Sequence, residues 1–393
     1  MITPFELCLP TRLVVGNGTM SQLGALACQL GSKRVMVISD PGVVATGHAA
    51  RGIDCLSKSG LVSCLFDAVR ENPTTDHIND GTDVARDFRP DLLVAIGGGS
   101  SMDCAKGINF LFSCGGRMQD YWGRGKAGKP MLASIAVPTT AGTGSETQSF
   151  ALVSDAHSGV KMACGDPAAA FRIAILDVGL TLTQPPRVTA LTGIDAVSHA
   201  LESYVTKART PVSMIFSRES WRLLSHALPR VLANPTDEKA RADVQLGASL
   251  AGIAIEHSML GVAHALANPL TADHGVPHGQ AVSLMLPHVI RFNASICGPD
   301  YADLWNDLID ESSEGRRIDR NDPEGAFRLS QWIENLVRQA GLATSLAEAG
   351  VQSPQFDRLS VASHEQWTAG FNPRSVTIDD LFALYKLADQ RHH

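Results

Sequence analysis

Leu92-Leu-Val-Ala-Ile96 runs straight into Gly97-Gly-Gly-Ser-Ser-Met-Asp-Cys-Ala-Lys106, and the reading of this junction decides the fold. The apolar run reads as a short strand, and the glycines as a tight turn that opens directly into a helix. Glycines let backbone amides come close to a phosphate, while a helix N-terminus supplies unpaired N–H groups and partial positive charge. A pyrophosphate would fit such a turn. The spacing is not G-x-G-x-x-G, so the usual dinucleotide fingerprint is absent, and a glycine triplet after a strand can equally be a purely structural turn.

Two further runs, Arg34-Val-Met-Val-Ile-Ser-Asp40 and Ser134-Ile-Ala-Val-Pro138, also end in turns rich in Gly, Pro, Ser or Thr. β-branched runs alternating with amphipathic or small-residue stretches are the rhythm of βαβ units around a parallel sheet, whose ligand sites lie at the carboxyl ends of the strands. Val137-Pro-Thr-Thr-Ala-Gly-Thr-Gly-Ser-Glu146 offers hydroxyls and glycines that can hydrogen-bond a phosphate, a ribose or an amide. Asp40 stands where an acid can bond ribose hydroxyls and repel a 2′-phosphate, though an acid there can also simply cap a helix or turn. From about Thr183 the rhythm changes to long helical stripes, such as Ile194, Val197, Leu201, Tyr204 and Val205, with almost no strand candidates. Thr183-Gln-Pro-Pro186 interrupts any helix, which places the boundary there. The expected organisation is an α/β dinucleotide-binding domain over 1–184 and an all-helical domain over 185–393.

A chain of 393 residues is long for a single core, and 44% hydrophobic with 19% charged residues is the balance of a globular protein. The formal charge is −7, and no run of five like charges occurs, so no footprint for nucleic acid or an anionic membrane is visible. Small-molecule chemistry becomes the leading class. The eight cysteines are scattered with no C-x-x-C pair, which argues for reduced thiols rather than a zinc knuckle or disulfide framework. No run approaches the roughly 18 apolar residues of a transmembrane helix, and the N-terminus lacks a basic stretch before an apolar one. A cytoplasmic location is expected. The terminal Arg391-His392-His393 is set aside from any metal argument.

Asp195 and His199 are four apart on a helix expected to begin near Gly193, so they share a face and suit a metal grip. With 40 acids and 13 histidines in the chain, about 1.3 acid-x-x-x-His pairs arise by chance, so the pair needs company. His257, His264, His274 and His278 supply it. His264 is expected near the end of a helix stopped around Pro269, and the last two in the loop Asp273-His-Gly-Val-Pro-His-Gly279, from which an imidazole can reach back to helix-borne ligands. One carboxylate and three imidazoles make a site suited to Fe²⁺ or Zn²⁺; histidines packed in a core or lying on the surface are the alternative.

Gly16-Asn-Gly18, Gly97-Gly-Gly-Ser-Ser-Met-Asp103, Pro138-Thr-Thr-Ala-Gly-Thr-Gly-Ser-Glu146, Gly193-Ile-Asp-Ala-Val-Ser-His-Ala-Leu-Glu202, Pro277-His-Gly279 and Asn372-Pro-Arg374 run nearly end to end. Together they resemble the iron-dependent (group III) alcohol dehydrogenases. The resemblance implies a Rossmann-like N-terminal domain, an all-α C-terminal domain for metal and substrate, and a site in the cleft between them. It implies Asp195, His199, His264 and His278 as metal ligands. NAD would rest its pyrophosphate on Gly97, Gly98, Gly99 and Ser100 near Asp103, with Thr139, Thr140, Thr143 and Ser145 lining the cofactor. Lys161 and Asn72 would serve the ribose and nicotinamide side, and Asp40 would favour NAD over NADP. The implied metal is Fe²⁺, with Zn²⁺ ranking above it at a generic N/O site. A homo-oligomer is also expected.

Many members carry a further histidine four residues after the third ligand, a candidate for relaying the substrate proton; here that position is Asn268. His274 is the candidate to replace it as relay, beside His278 as the second candidate catalytic residue. His257, one heptad before His264 and therefore about 10 Å away along a helix, is too far to share the metal but can face substrate. Phe150, Leu152, Ile255, Leu260 and Phe371 complete the candidate pocket, core packing being the alternative for each. The expected activity is an NAD-dependent, divalent-metal-dependent alcohol dehydrogenase or aldehyde reductase, passing hydride between a metal-bound alcohol or aldehyde and the nicotinamide. The rivals are a specialised reductase of maleylacetate or a phosphonate aldehyde, a hydroxyacid–oxoacid transhydrogenase, and a metal-dependent hydrolase, which would have no use for NADH.

Overall fold

The computed structural model describes residues 4–309 and 317–390. The chain divides into two compact units, Leu7–Gln184 and a second that takes the residues from Pro185 onward together with those before Leu7. The first holds nine strands: β1 (Arg12–Val15), β2 (Arg34–Ile38), β3 (Val62–Phe66), β4 (Leu92–Gly97), β5 (Gly123–Arg124), β6 (Ala133–Pro138), β7 (Phe150–Ser154), β8 (Lys161–Gly165) and β9 (Ile173–Leu176). Its helices are α1 (Leu23–Gln29), α2 (Pro41–Ala45), α3 (His48–Lys58), α4 (Thr75–Phe88), α5 (Gly99–Cys114) and α6 (Val178–Thr181).

Six strands form one parallel sheet in the order β1-β9-β6-β4-β2-β3, and β5-β8-β7 form a small second sheet. Every residue of β4 and β9 is buried because helices cover both faces of the large sheet. Side chains alternate between those faces. Met36, Ile38, Leu93 and Ala95 pack with Ile78 of α4 and Ile108 of α5, while Val35, Val37, Leu92, Val94 and Ile96 pack with Leu23 of α1 and Leu56 of α3. The three strands read from sequence are β2, β4 and β6, the apolar centre of the sheet. The edge strands β1 and β3 are partly exposed, unlike the fully buried strands at the centre. From β2 the chain goes to β3 on one side and then returns to β4 on the other. Such a reversal opens a crevice at the strand carboxyl ends.

The second unit contains α7 (Pro186–Val205), α8 (Pro211–Ala233), α9 (Glu238–Glu256), α10 (Val262–His274), α11 (His278–Leu308), α12 (Glu324–Gln339), α13 (Phe356–His364) and α14 (Ile378–Asp389), with no strand among its described residues. Pro186 occupies the first position of α7, where the missing N–H is no loss, so this helix begins seven residues before the expected start near Gly193. Ile194, Val197, Leu201, Tyr204 and Val205 are all buried, as α8, α9 and α11 pack around α7.

Pro269 does not stop its helix: it lies inside α10, which continues to His274. A proline inside a helix costs about 3 kcal/mol, but Leu266 and Leu270 on either side are fully buried, and each such burial returns roughly 1.5–3 kcal/mol. His264 is consequently the third residue of α10 rather than near its end, and only Gly275, Val276 and Pro277 separate α10 from α11. No helix among the described residues is long and apolar enough to cross a membrane.

Candidate metal centre and nucleotide edge

In the helical unit, Asp195 and His199 of α7, His264 of α10 and His278 at the first position of α11 converge. Asp195 Oδ1 lies 3.4 Å from His199 Nε2, 3.5 Å from His264 Nε2 and 3.6 Å from His278 Nε2. Asp195, His199 and His264 offer ligand atoms that all fall within 4.8 Å of one another. His278, with a side chain 26% exposed, stands on the more open flank. These separations are longer than good hydrogen bonds. They match the spacing of donors around one cation, since ligands about 2.1 Å from a tetrahedral metal stand about 3.4 Å apart. Asp195 Oδ1 and His264 Nε2 are buried with no hydrogen-bond partner, which is costly unless something else satisfies them. The donor set therefore fits a divalent cation.

Electrostatics agree. Burial opposes a charge on His264, yet the carboxylates of Asp195 and Glu202 outweigh it and raise the imidazole to about 9. Burial likewise opposes ionisation of Asp195, but His199, His264 and His278 hold its carboxyl well below the usual range. The cluster is a buried seat for positive charge.

Glu202, which carried no role in the sequence reading, falls on the same face of α7 as Asp195 and His199, at the seventh residue after Asp195. Its Oε2 lies 2.5 Å from His264 Nδ1, and its Oε1 accepts the Ala263 N–H at 2.8 Å. The i, i+4, i+7 spacing of Asp195, His199 and Glu202 was the available signal. Gly261 precedes α10, and a Cβ there would stand 3.0 Å from Glu202 Oε1 and 3.1 Å from Asn372 Oδ1. Asn372 is paired with Asn293 of α11 by reciprocal amide hydrogen bonds of 2.8 and 3.0 Å and accepts the Val262 N–H at 3.4 Å. The Asn372-Pro-Arg374 motif thus ties the start of α10 to α11.

Not every candidate joins this cluster. His274 closes α10 ten residues after His264, about 15 Å of helical rise away, so the expected relay histidine is too far for direct proton exchange at His264. His257 and His264 do not share a helix: α9 ends at Glu256 and α10 starts at Val262, which removes the heptad relation. Asn268 donates its amide to Gln366 Oε1 at 3.0 Å. Ile255 is buried near the end of α9, Leu260 lies in the connection to α10, and Phe371 ends a short turn whose carbonyl accepts the Lys207 N–H and the Thr206 hydroxyl.

In the α/β unit Asp40, Gly97, Gly98, Gly99, Ser100 and Thr139 lie at the carboxyl ends of the strands of the large sheet. Gly97 ends β4, Gly98 precedes α5, and Gly99 and Ser100 open it, with no side chain capping the helix start and no acid in its first turn. Its first amides are open to an anion. A Cβ on Gly98 would lie 3.2 Å from Thr140 Oγ1 and one on Gly99 2.7 Å from Thr143 Cγ2, so the threonine loop packs directly on the glycine turn. Thr139 extends β6, its N–H donating to the Gly97 carbonyl. Asp40 caps α2 through the Val43 N–H and accepts from the Ser101 hydroxyl at 3.3 Å, so it both caps and faces the turn.

Ser145 and Asp103 have an inward role. The Ser145 hydroxyl donates to Asp103 Oδ1 at 2.8 Å, and Lys106, only 1% exposed, donates to the Ser145 hydroxyl, the Ser145 carbonyl and the Phe150 carbonyl at 2.8–2.9 Å. Burial pushes the Asp103 carboxyl up against the pull of Lys106, Ser145 and Lys161. Lys106 carries no role in the sequence reading, because its partners Ser145 and Phe150 are about 40 residues away and no local signal points to them. Lys161 opens β8, and Asn72 is an exposed left-handed residue after β3. Phe150 and Leu152 share a face of β7, and the Phe150 ring covers Gly165 across the strand pair.

A family model described as iron-containing alcohol dehydrogenase matches residues 10–178, and one described as Fe-containing alcohol dehydrogenase family, C-terminal, matches residues 189–388. The chain is 32% identical to an NAD-dependent methanol dehydrogenase of Bacillus methanolicus, over 97% of this chain and 98% of that one. In structure it is similar to a 1,3-propanediol oxidoreductase, with a TM-score of 0.93, 28% identity and coverage of 98% of this chain and 100% of the other. It is also similar to a sulfoacetaldehyde reductase from Bifidobacterium kashiwanohense in complex with NAD⁺, with a TM-score of 0.88, 27% identity and coverage of 98% and 99%.

Proposed function

The chain belongs to the iron-containing alcohol dehydrogenase family, and from that premise we propose that Asp195, His199, His264 and His278 hold its divalent metal, Fe²⁺, for the NAD-linked interconversion of a small alcohol and its aldehyde. The observation that carries this assignment is a single buried carboxylate oxygen, Asp195 Oδ1, facing three imidazole nitrogens at 3.4–3.6 Å. When bound, the metal supplies a Lewis acid for the substrate oxygen and the nicotinamide gives or takes the hydride.

The chain's own residues supply charge, position and exclusion of water. Asp195 and, behind His264, Glu202 bring two carboxylates to balance a dication, while the imidazoles add no charge of their own as ligands. Gly97, Gly98, Gly99 and Ser100 aim the first amides of α5 at the pyrophosphate, and Thr139, Thr140 and Thr143 line it. Asp40 meets the ribose and disfavours a 2′-phosphate, with Lys161 and Asn72 toward the ribose and nicotinamide. Asp103 and Ser145 brace this edge through Lys106. Ile255, Leu260 and Phe371, with His257, are assigned to the substrate side, an apolar set that suits a short uncharged substrate. Asn268, fixed on Gln366, carries no titratable proton, so the relay is not an imidazole at that position. The proposed working form is a cytoplasmic homo-oligomer.

The test is anaerobic NADH oxidation by the Fe²⁺-reconstituted protein with a panel of short aldehydes and anionic oxo-acids, each with and without prior chelation. Chelator-sensitive oxidation is the expected result. Full activity after removal of the metal would refute the assignment, and no oxidation of any substrate despite stoichiometric metal would favour the hydrolase.

A further inference from the structure

We propose that Glu202 is the positioning residue of the metal centre: its carboxylate decides which nitrogen of His264 carries the hydrogen and so presents a bare Nε2 to the cation. This rests on the assignment of His264 as a ligand made above. An ionised carboxylate only accepts hydrogen bonds. Glu202 Oε1 is occupied by the Ala263 N–H at 2.8 Å, which leaves Oε2, 2.5 Å from His264 Nδ1, to accept from that nitrogen. The hydrogen of the neutral ring is then on Nδ1. The lone pair is on Nε2, the buried atom 3.5 Å from Asp195 Oδ1 that no hydrogen bond satisfies.

Glu202 is itself held. It is 3% exposed, it is anchored on the first turn of α10 where the helix dipole favours a carboxylate, and Gly261 has no side chain to push it away. One carboxylate therefore joins the helix that carries Asp195 and His199 to the helix that carries His264. A residue that merely caps α10 would need an acceptor for Ala263 alone, whereas a positioning residue needs a second acceptor for His264. Glu202→Gln separates the two roles. Its single amide oxygen can still accept from Ala263, but its NH₂ group then faces His264 Nδ1 and favours the ring with hydrogen on Nε2, the wrong form for a ligand.

The experiment measures Co²⁺ and Zn²⁺ affinity of metal-stripped wild type, E202Q and E202D by chelator competition, records the Co²⁺ absorption bands, and follows thermal unfolding of the stripped proteins. We expect stripped E202Q to unfold close to wild type, to bind about 10- to 100-fold more weakly, and to show shifted Co²⁺ bands. E202D, whose shorter arm cannot hold both partners at once, should weaken binding about 10-fold, and it carries the test alone if E202Q does not fold. Wild-type affinity and bands in a folded Glu202 variant would overturn the positioning role while leaving the ligand assignment intact. Wild type that binds neither metal, or binds it undiminished after His264→Ala, would overturn the assignment and this inference with it.

Discussion

Gly279 lies against the backbone of Leu191 so closely that a Cβ on it would stand 2.2 Å from the Leu191 carbonyl oxygen. Because the obstacle is backbone of α7, no rotamer change can relieve it. Gly279 adjoins His278, so Gly279→Ala must move the start of α11 and draw the His278 imidazole away from Asp195. The expected outcome is a folded protein, by circular dichroism, whose metal affinity falls at least about 10-fold, a loss of about 1.4 kcal/mol. Unchanged affinity in chelator competition would mean that α11 does not set the His278 position.

Asp195→Asn keeps the shape of the side chain and removes the charge that faces three imidazoles. Metal content after purification should drop to a small fraction of one per chain, and turnover should drop with it, while NADH binding persists because the residues proposed to hold it lie in the other unit. Metal that binds only the folded state stabilises it by about 2.7 kcal/mol at a hundred times Kd. Chelation should therefore lower the Tm of wild type by several degrees and leave that of the variant where it was. Equal shifts in both proteins would place the metal elsewhere.

Gly99→Ala puts a methyl group 2.7 Å from Thr143 Cγ2, displacing the threonine loop or the opening turn of α5. NADH affinity, measured by fluorescence titration, should weaken about 10-fold, or 1.4 kcal/mol. Metal content should not change. A variant with normal NADH affinity would show that the glycine turn is structural only.

Asp91 gives a pH signature. Its carboxylate accepts from the Ser32 hydroxyl at 2.6 Å and from the Lys33 and Arg34 amides at 2.9–3.1 Å, pinning the turn before β2 beside the start of β4. Burial pushes its pKa up, but these donors outweigh burial and hold it below the ordinary 3.8. A depressed folded value means that the stabilisation is complete above the unfolded pKa and is lost as pH falls through the folded one. Asp91→Ala should lower Tm by a few degrees at neutral pH, with the gap narrowing steadily in melts taken below about pH 4. A gap independent of pH would show that the carboxylate charge is not what matters.

Much of the chain was legible because its signals are local. Strands β2, β4 and β6 announced themselves as apolar runs since both of their faces are covered, and Pro185-Pro186 marked the change from sheet to helices. What failed were readings that treated local rules as decisive. Pro269 reads as a stop in the sequence, but two buried leucines hold the helix through it. The heptad between His257 and His264 was real in spacing and absent in space, because a break between α9 and α10 separates them.

By itself, the sequence determined the fold class and the order of the two units, because periodicity and turn residues are properties of short stretches, and it carried the motifs whose resemblance implies the four ligands. Only the tertiary structure decided that Asp195 Oδ1 meets three imidazoles at one spacing, that Glu202 stands behind His264, and that Lys106 is a buried brace rather than a surface charge. Those relations join residues as much as 83 positions apart, as Asp195 to His278, and depend on how closely Glu202 and Asn372 come to Gly261 and the α7 backbone comes to Gly279. No local pattern encodes that approach, because it is set by the packing of whole helices against one another.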